Sequence, residues 1–367
     1  MIWTAGFRTG VISPHETIKL TEPFEFADQT VRQVLYLAGG GERIRVRLTN
    51  LYGRAPVKIA NPRVAAKGVE TPLHLDGADE FTIEPGQEVV LDAADVRVAP
   101  GAELVLSFYL PEPTGLATYS HRPMETAYVA EGDHVSAPTL PGAKAVEARF
   151  FVSGVDVLVP EGTAVAVAFG DSWFEGVGST TGANRRSVDV LNRRLARGWV
   201  VNQGIAGNRL LTDEIGERAL ARFDRDVLAI PAVTHVLVNF GINDLGLPGM
   251  IGEPPATPAA LIEGFTSLAE RAHDAKLRII AATIGPFAGV IYPGISTPEG
   301  LAARREVNEW IRATDVFDAV FDVARAVENP EDPDFIRPDL DGGDGMHLND
   351  AGAAAMAGAV DLETLVL

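Results

Sequence analysis

The sequence predicts an all-β sandwich or jelly roll followed by an open, doubly wound α/β sheet. Three observations predict it. Up to about residue 155, short segments alternate apolar and polar residues between turn signals. After Pro160, apolar strand-like runs alternate with amphipathic helical stretches. The chain's 367 residues are long for one core and comfortable for two. The expected domains are 1–155 and 156–367.

The β half is read first. In "ERIRVRLTNLYG", Ile44, Val46 and Leu48 alternate with Arg43, Arg45 and Arg47, as in a strand with one wet face. "FTIEPGQEVVL" reads as strand, Pro-Gly turn, strand. "GAELVLSFYL" and "ARFFVSGVDVLV" supply further strands, and no long amphipathic helix interrupts them.

In the second half, "TAVAVAFG" is apolar throughout, as a parallel strand covered on both faces should be. "NRRSVDVLNRRLARG" follows as a helix, with Val188, Leu191 and Leu195 on one face and Gly198 as its stop. "WVVNQGIAG", "THVLVNFG", "LRIIAATIG" and "AVFDVA" continue the sheet. Helices are expected near Pro258–Ala275, Glu299–Thr314 and Asp350–Leu362. Residues 245–258, rich in Gly and Pro, are expected as a substrate-side loop.

Composition excludes several function classes. Hydrophobic residues are 46% and charged residues 22%, which describes a globular chain rather than a disordered one. With no cysteine there is no disulfide, thiolate metal site or cysteine nucleophile. A net charge of −19 with no basic stripe argues against nucleic acid as a partner. No apolar run is long enough to span a bilayer. The N-terminus lacks a basic stretch followed by an apolar one, so the expected location is cytoplasmic, or secreted if a leader has been removed. Oligomeric state is left open.

Ligands of open α/β sheets bind beyond the carboxyl ends of the strands. Those ends carry Gly170-Asp171-Ser172, then "NQGIAGNRLL" with Gly207, then "FGINDLG" with Asn243 and Asp244. "DGGDGMHLNDAG", with Asp344 and His347, precedes the last helix. A serine hydroxyl needs a base to take its proton, and His347 is the candidate. Asp344, three residues earlier, is placed to fix the imidazole tautomer; Asp341 is the alternative, and Asp350 is expected to cap the last helix. An acyl-transfer oxyanion needs fixed donors, which the Ser172 N–H, Gly207 and the Asn243 amide offer.

In order and context, Ser172 in "GDS", Gly207 in "GIAGN", Asn243 in "GIND" and His347 in "DGMH" resemble the SGNH (GDSL-type) hydrolases, in particular bacterial members with an all-β domain in front. The resemblance runs from about residue 163 to the end and extends to "SFYLPEPTGLATYSH", "NRRSVDVLNRRLA" and "ALARFDRDVLA". It implies a flavodoxin-like α/β/α fold, a serine mechanism without metal or cofactor, and ester substrates. It makes Ser172 the nucleophile, His347 the base and Asp344 its orienter, with Ser172, Gly207 and Asn243 as oxyanion hole. One departure is Trp173-Phe174, where the family commonly has Leu or Ile and then Ser or Thr. Both aromatics, together with Arg209, are candidate substrate contacts; each also has a bland reading, as core packing or a surface ion pair.

Two other chemistries compete for these residues. Asp339, Asp341, Asp344 and Asp350 with His347 are oxygen and nitrogen ligands suited to a divalent ion, but a metal leaves the serine, glycine and asparagine unexplained. An α/β-hydrolase needs G-x-S-x-G, and Phe174 stands where the second glycine belongs. His15, His74, His121, His134, His235 and His273 are scattered and attract no role. The expectation is an esterase removing a short acyl group, such as acetyl, from a carbohydrate or other small alcohol. The alternatives are a non-catalytic carbohydrate-binding protein, or a lipase-, thioesterase- or transferase-type member of the same family.

Overall fold

The computed structural model describes residues 1–365 and 367. The chain divides into two compact units, Met1–Thr163 and Ala164–Leu367. The division falls later than residue 155 because the strand Val152–Val159 pairs antiparallel with Ile2–Arg8 and Ile44–Thr49, deep in the first unit.

The first unit is all-β, built chiefly on a four-stranded and a seven-stranded sheet, both antiparallel. The predicted alternation holds: Ile44, Val46 and Leu48 are fully buried, while Arg45 and Arg47 face outward and are half-buried. Leu104, Leu106 and Phe108 do the same on the larger sheet.

The second unit is an open parallel sheet. Its strands are β1 (Val165–Gly170), β2 (Trp199–Gly204), β3 (Val233–Asn239), β4 (Arg278–Ala282) and β5 (Ala319–Phe321). Their spatial order is 2-1-3-4-5, the doubly wound order whose switch point lies between β1 and β3. All six β1 residues are buried, as its uninterrupted apolar run requires. The helices are α1 (Ser172–Glu175), α2 (Ser187–Arg194), α3 (Ala219–Phe223), α4 (Ile242–Met250), α5 (Pro258–Asp274), α6 (Pro298–Ala313), α7 (Val323–Val327) and α8 (Asp350–Gly358).

Capping explains the helix starts. Thr257 and Thr297 accept from the N–H groups of Ala260 and Gly300, with proline at the first helical position of α5 and α6. Asn349 caps α8, so Asp350 is not the cap; its carboxylate instead takes the Thr180 N–H and hydroxyl and the Arg185 guanidinium. Residues 245–250, expected as loop, complete α4 despite Pro248. Among the described residues, no helix is long and apolar enough to cross a membrane.

Candidate active site

β1 delivers Ser172 to the first turn of a four-residue helix. Asp171 caps that turn by accepting the Trp173 N–H at 3.0 Å, and Gly176 closes it with φ +100°. The turn lies so close to the end of β2 that a Cβ on Gly204 would sit 2.3 Å from the Glu175 nitrogen. Ser172 is therefore held on rigid backbone and is almost wholly buried.

His347 lies in the tight turn before α8, where Asp344 organises the backbone with one carboxylate. Oδ1 accepts the N–H groups of Met346 and His347 at 3.0 and 2.8 Å. Oδ2 lies 2.7 Å from His347 Nδ1, and His347 Nε2 lies 3.0 Å from Ser172 Oγ. Burial alone would raise the Asp344 pKa. The hydrogen bond and charge of His347, with the two backbone N–H groups, hold it well below the usual carboxylate range. Asp341, the alternative partner, binds the N–H groups of Gly343 and Gly345 instead.

The end of β2 supplies Gly207 in the loop that follows it, and the end of β3 supplies Asn243 in the first turn of α4. Asn243 Nδ2 donates one hydrogen bond to the Asn208 carbonyl at 3.0 Å. That leaves its second N–H, because a carboxamide nitrogen carries two. Gly207 has φ +76°, and a Cβ there would sit 2.6 Å from Ile215 Cδ1. Among the described residues, neither the Ser172 nor the Gly207 N–H donates to a protein acceptor. Fixed donors without acceptors at the rim of a parallel sheet can receive negative charge on a bound substrate.

Three residues without an expected catalytic role hold this frame: Asp244, named at the strand end by the sequence, and Glu175 and Arg222. Glu175 Oε2 accepts the Ala206 N–H at 2.5 Å, fastening the glycine loop to α1. Asp244 accepts the N–H groups of Leu210 and Leu211 at 2.8 and 3.0 Å. Arg222, fully buried, donates to the carbonyls of Gly170 and Gln203, to Asn208 Oδ1 and to Asp226, and lies 4.2 Å from the Phe169 ring centroid. The available signal was an arginine in the otherwise apolar stretch "ALARF".

Burial pushes the Asp171 carboxyl up to about 7, helped by the charge of Asp244 and opposed by the Trp173 N–H. Its Oδ2 is buried with no hydrogen-bond partner. Burial likewise raises Asp244 to about 6, against the Leu210 and Leu211 N–H groups and Arg209.

The predicted substrate contacts are placed differently from the predicted triad. Trp173 and Phe174 are both turned inward, 4% and 2% exposed. Trp173 Nε1 donates to the Met346 carbonyl at 3.0 Å, and Phe174 stacks with Phe321 at 6.4 Å between centroids. Arg209 pairs with Glu214 at 3.0 Å and lies 3.8 Å from Asp244. Of the remaining acids around His347, Asp339 pairs with Arg337. Among the described residues, no three His, Asp or Glu side chains converge as a ligand set.

The model of the GDSL-like lipase/acylhydrolase family matches residues 168–355 of this chain. No curated protein matches it. Three similar solved structures are the native aryl esterase of M. smegmatis, a GDSL-like lipase from Bacteroides thetaiotaomicron and a carbohydrate acetylesterase from Sinorhizobium meliloti. The first is 17% identical, with 53% of this chain and 95% of that one covered and a TM-score of 0.44. The second is 17% identical, with 56% and 90% covered and a TM-score of 0.43. The third is 16% identical, with 53% and 95% covered and a TM-score of 0.43.

Proposed function

Because the chain belongs to the GDSL-like lipase/acylhydrolase family, we propose that it is a serine esterase removing short acyl groups, acetyl foremost, from a carbohydrate or another small alcohol. The observation that carries this reading is the unbroken hydrogen-bonded line from Asp344 through His347 to Ser172.

Ser172 Oγ attacks the ester carbonyl carbon while His347 Nε2 takes its proton. Asp344 holds the Nδ1–H tautomer and offsets the charge of the imidazolium. The carbonyl oxygen becomes an oxyanion that accepts from the N–H groups of Ser172 and Gly207 and the second N–H of Asn243. One such donor is worth on the order of 3 kcal/mol in the transition state. The tetrahedral intermediate collapses, and the imidazolium gives its proton to the leaving alcohol. Water, deprotonated by His347, then attacks the acyl-enzyme, releases the carboxylic acid and restores Ser172. Ser172 is 1% exposed, and a short acyl group asks for less room around a nearly buried hydroxyl than a long chain does.

The test is hydrolysis of nitrophenyl esters from acetate to decanoate by the wild type and by Ser172→Ala. The reading expects kcat/KM to be greatest for acetate and kcat to fall at least about 10³-fold in the variant. Full activity in Ser172→Ala overturns the mechanism. A maximum at long chains overturns the short-acyl assignment.

A further inference from the structure

The geometry points to Trp173 as the residue that positions the His347 turn against the nucleophile, through its indole N–H on the Met346 carbonyl. The inference rests on the esterase reading above and adds to it a positioning residue that directly follows the nucleophile in Gly-Asp-Ser-Trp.

Every polar group of Trp173 is engaged. Its backbone N–H is held by Asp171, its carbonyl accepts from Ser187 Oγ at 3.0 Å, and its Nε1–H reaches Met346 O at 3.0 Å. The ring lies over Gly285, where a Cβ would sit 2.0 Å from Trp173 Cη2, so bare backbone there is what admits the indole. Met346 is itself buried and immediately precedes His347. The far side of His347 is tied separately, by the Gly342 N–H donating to the His347 carbonyl at 2.7 Å.

The turn carrying the base is thus clamped at both flanks. One clamp is built on the residue covalently bonded to the nucleophile, so it fixes Ser172 and His347 relative to each other. Displacements of about 1 Å in such a constellation cost about 10²-fold in rate. A wall of the acyl pocket would instead show itself in KM and in acyl preference.

The test compares Trp173→Phe, Gly285→Ala and the double variant, with kcat and KM measured across the ester series and thermal midpoints recorded. A fourth protein, with 3-benzothienylalanine at position 173, keeps the ring shape and removes only the donor, so the inference is testable even if the phenylalanine variant folds poorly.

The inference expects kcat to fall about tenfold or more in each, KM to stay within about twofold, and the acyl profile to keep its shape. Phosphonylation of Ser172 by a fluorophosphonate should slow in parallel with kcat. Trp173→Phe and Gly285→Ala should be non-additive, because both act through the same indole. Unchanged kcat with 3-benzothienylalanine overturns the inference, as does a shifted acyl preference or full additivity. Activity that survives in Ser172→Ala is a different failure, because it removes the esterase mechanism whatever Trp173 does.

Discussion

Replacing Arg222 by methionine removes the side chain that ties the ends of β1 and β2 to the loop carrying Gly207. The guanidinium donates to Gly170 O at 2.9 Å and to Gln203 O, Asn208 Oδ1 and Asp226 Oδ2, each at 3.0 Å. Asp226 keeps Arg225 as a partner, and Gly170 O keeps the Ile205 N–H at 3.1 Å, so neither is stranded. Gln203 O keeps the Gly170 N–H through the β1–β2 ladder, whereas Asn208 Oδ1 loses its charged donor in a buried place, at about 1–3 kcal/mol. Loss of the cation over Phe169 adds about 1 kcal/mol, and the methionine side chain recovers part of the packing. The balance is a loss of about 2–3 kcal/mol. Urea denaturation, with hydrogen exchange followed in peptides spanning 165–175 and 199–208, reads this directly. About a 10²-fold loss of protection in both peptides is expected. Arg222→Lys should recover little, because an ammonium cannot span four acceptors in a planar fork. A loss below 1 kcal/mol in Arg222→Met would refute the reasoning.

Other perturbations separate the parts of the site. Asp344→Asn should leave the fold intact and lower kcat by about 10⁴-fold, since an amide disfavours the tautomer that Ser172 requires; initial-rate kinetics and circular dichroism check both halves. Asn243→Ala should lower kcat by about 10²–10³-fold with a small change in KM, read in the same assay. Gly207→Ala places a side chain at φ +76° and against Ile215, so it should cost about 1–3 kcal/mol in a denaturation curve and lower kcat as well. Asp171 is raised to about 7 when folded against 3.8 unfolded, so it favours the folded state most below about pH 4 and loses that contribution as pH rises toward 7. Asp171→Asn should therefore gain stability relative to the wild type across that window; a constant difference from pH 4 to pH 8 would contradict the assignment.

What the sequence reveals follows from how far each interaction reaches along the chain. β1 was legible because a strand covered on both faces reads as an unbroken apolar run, and α2 because Val188 and Leu191 repeat at helical spacing. Ser172, Asp344 and His347 were legible because their chemistry constrains both residue type and position at a strand end or turn. Asp344 was favoured over Asp341 by its spacing, three residues from His347 against six, and it is Asp344 that meets Nδ1 while Asp341 binds backbone N–H groups. Apart from Asp226, four residues beyond Arg222, the groups through which Arg222, Glu175 and Asp244 hold the frame lie 14 to 52 residues away, which leaves no local pattern. The inward turn of Trp173 is of the same kind, because the glycine that admits its ring lies at position 285. The extension of α4 through Pro248 escaped because proline sits there without breaking the last turn.

The esterase mechanism stands on Ser172 as a nucleophile activated by His347. Labelling with a fluorophosphonate, followed by peptide mass spectrometry, tests it most directly. One stoichiometric adduct is expected on Ser172, absent in Ser172→Ala and formed at least about 10²-fold more slowly in His347→Ala. An adduct at another residue, or labelling of Ser172 at an undiminished rate without His347, would contradict it.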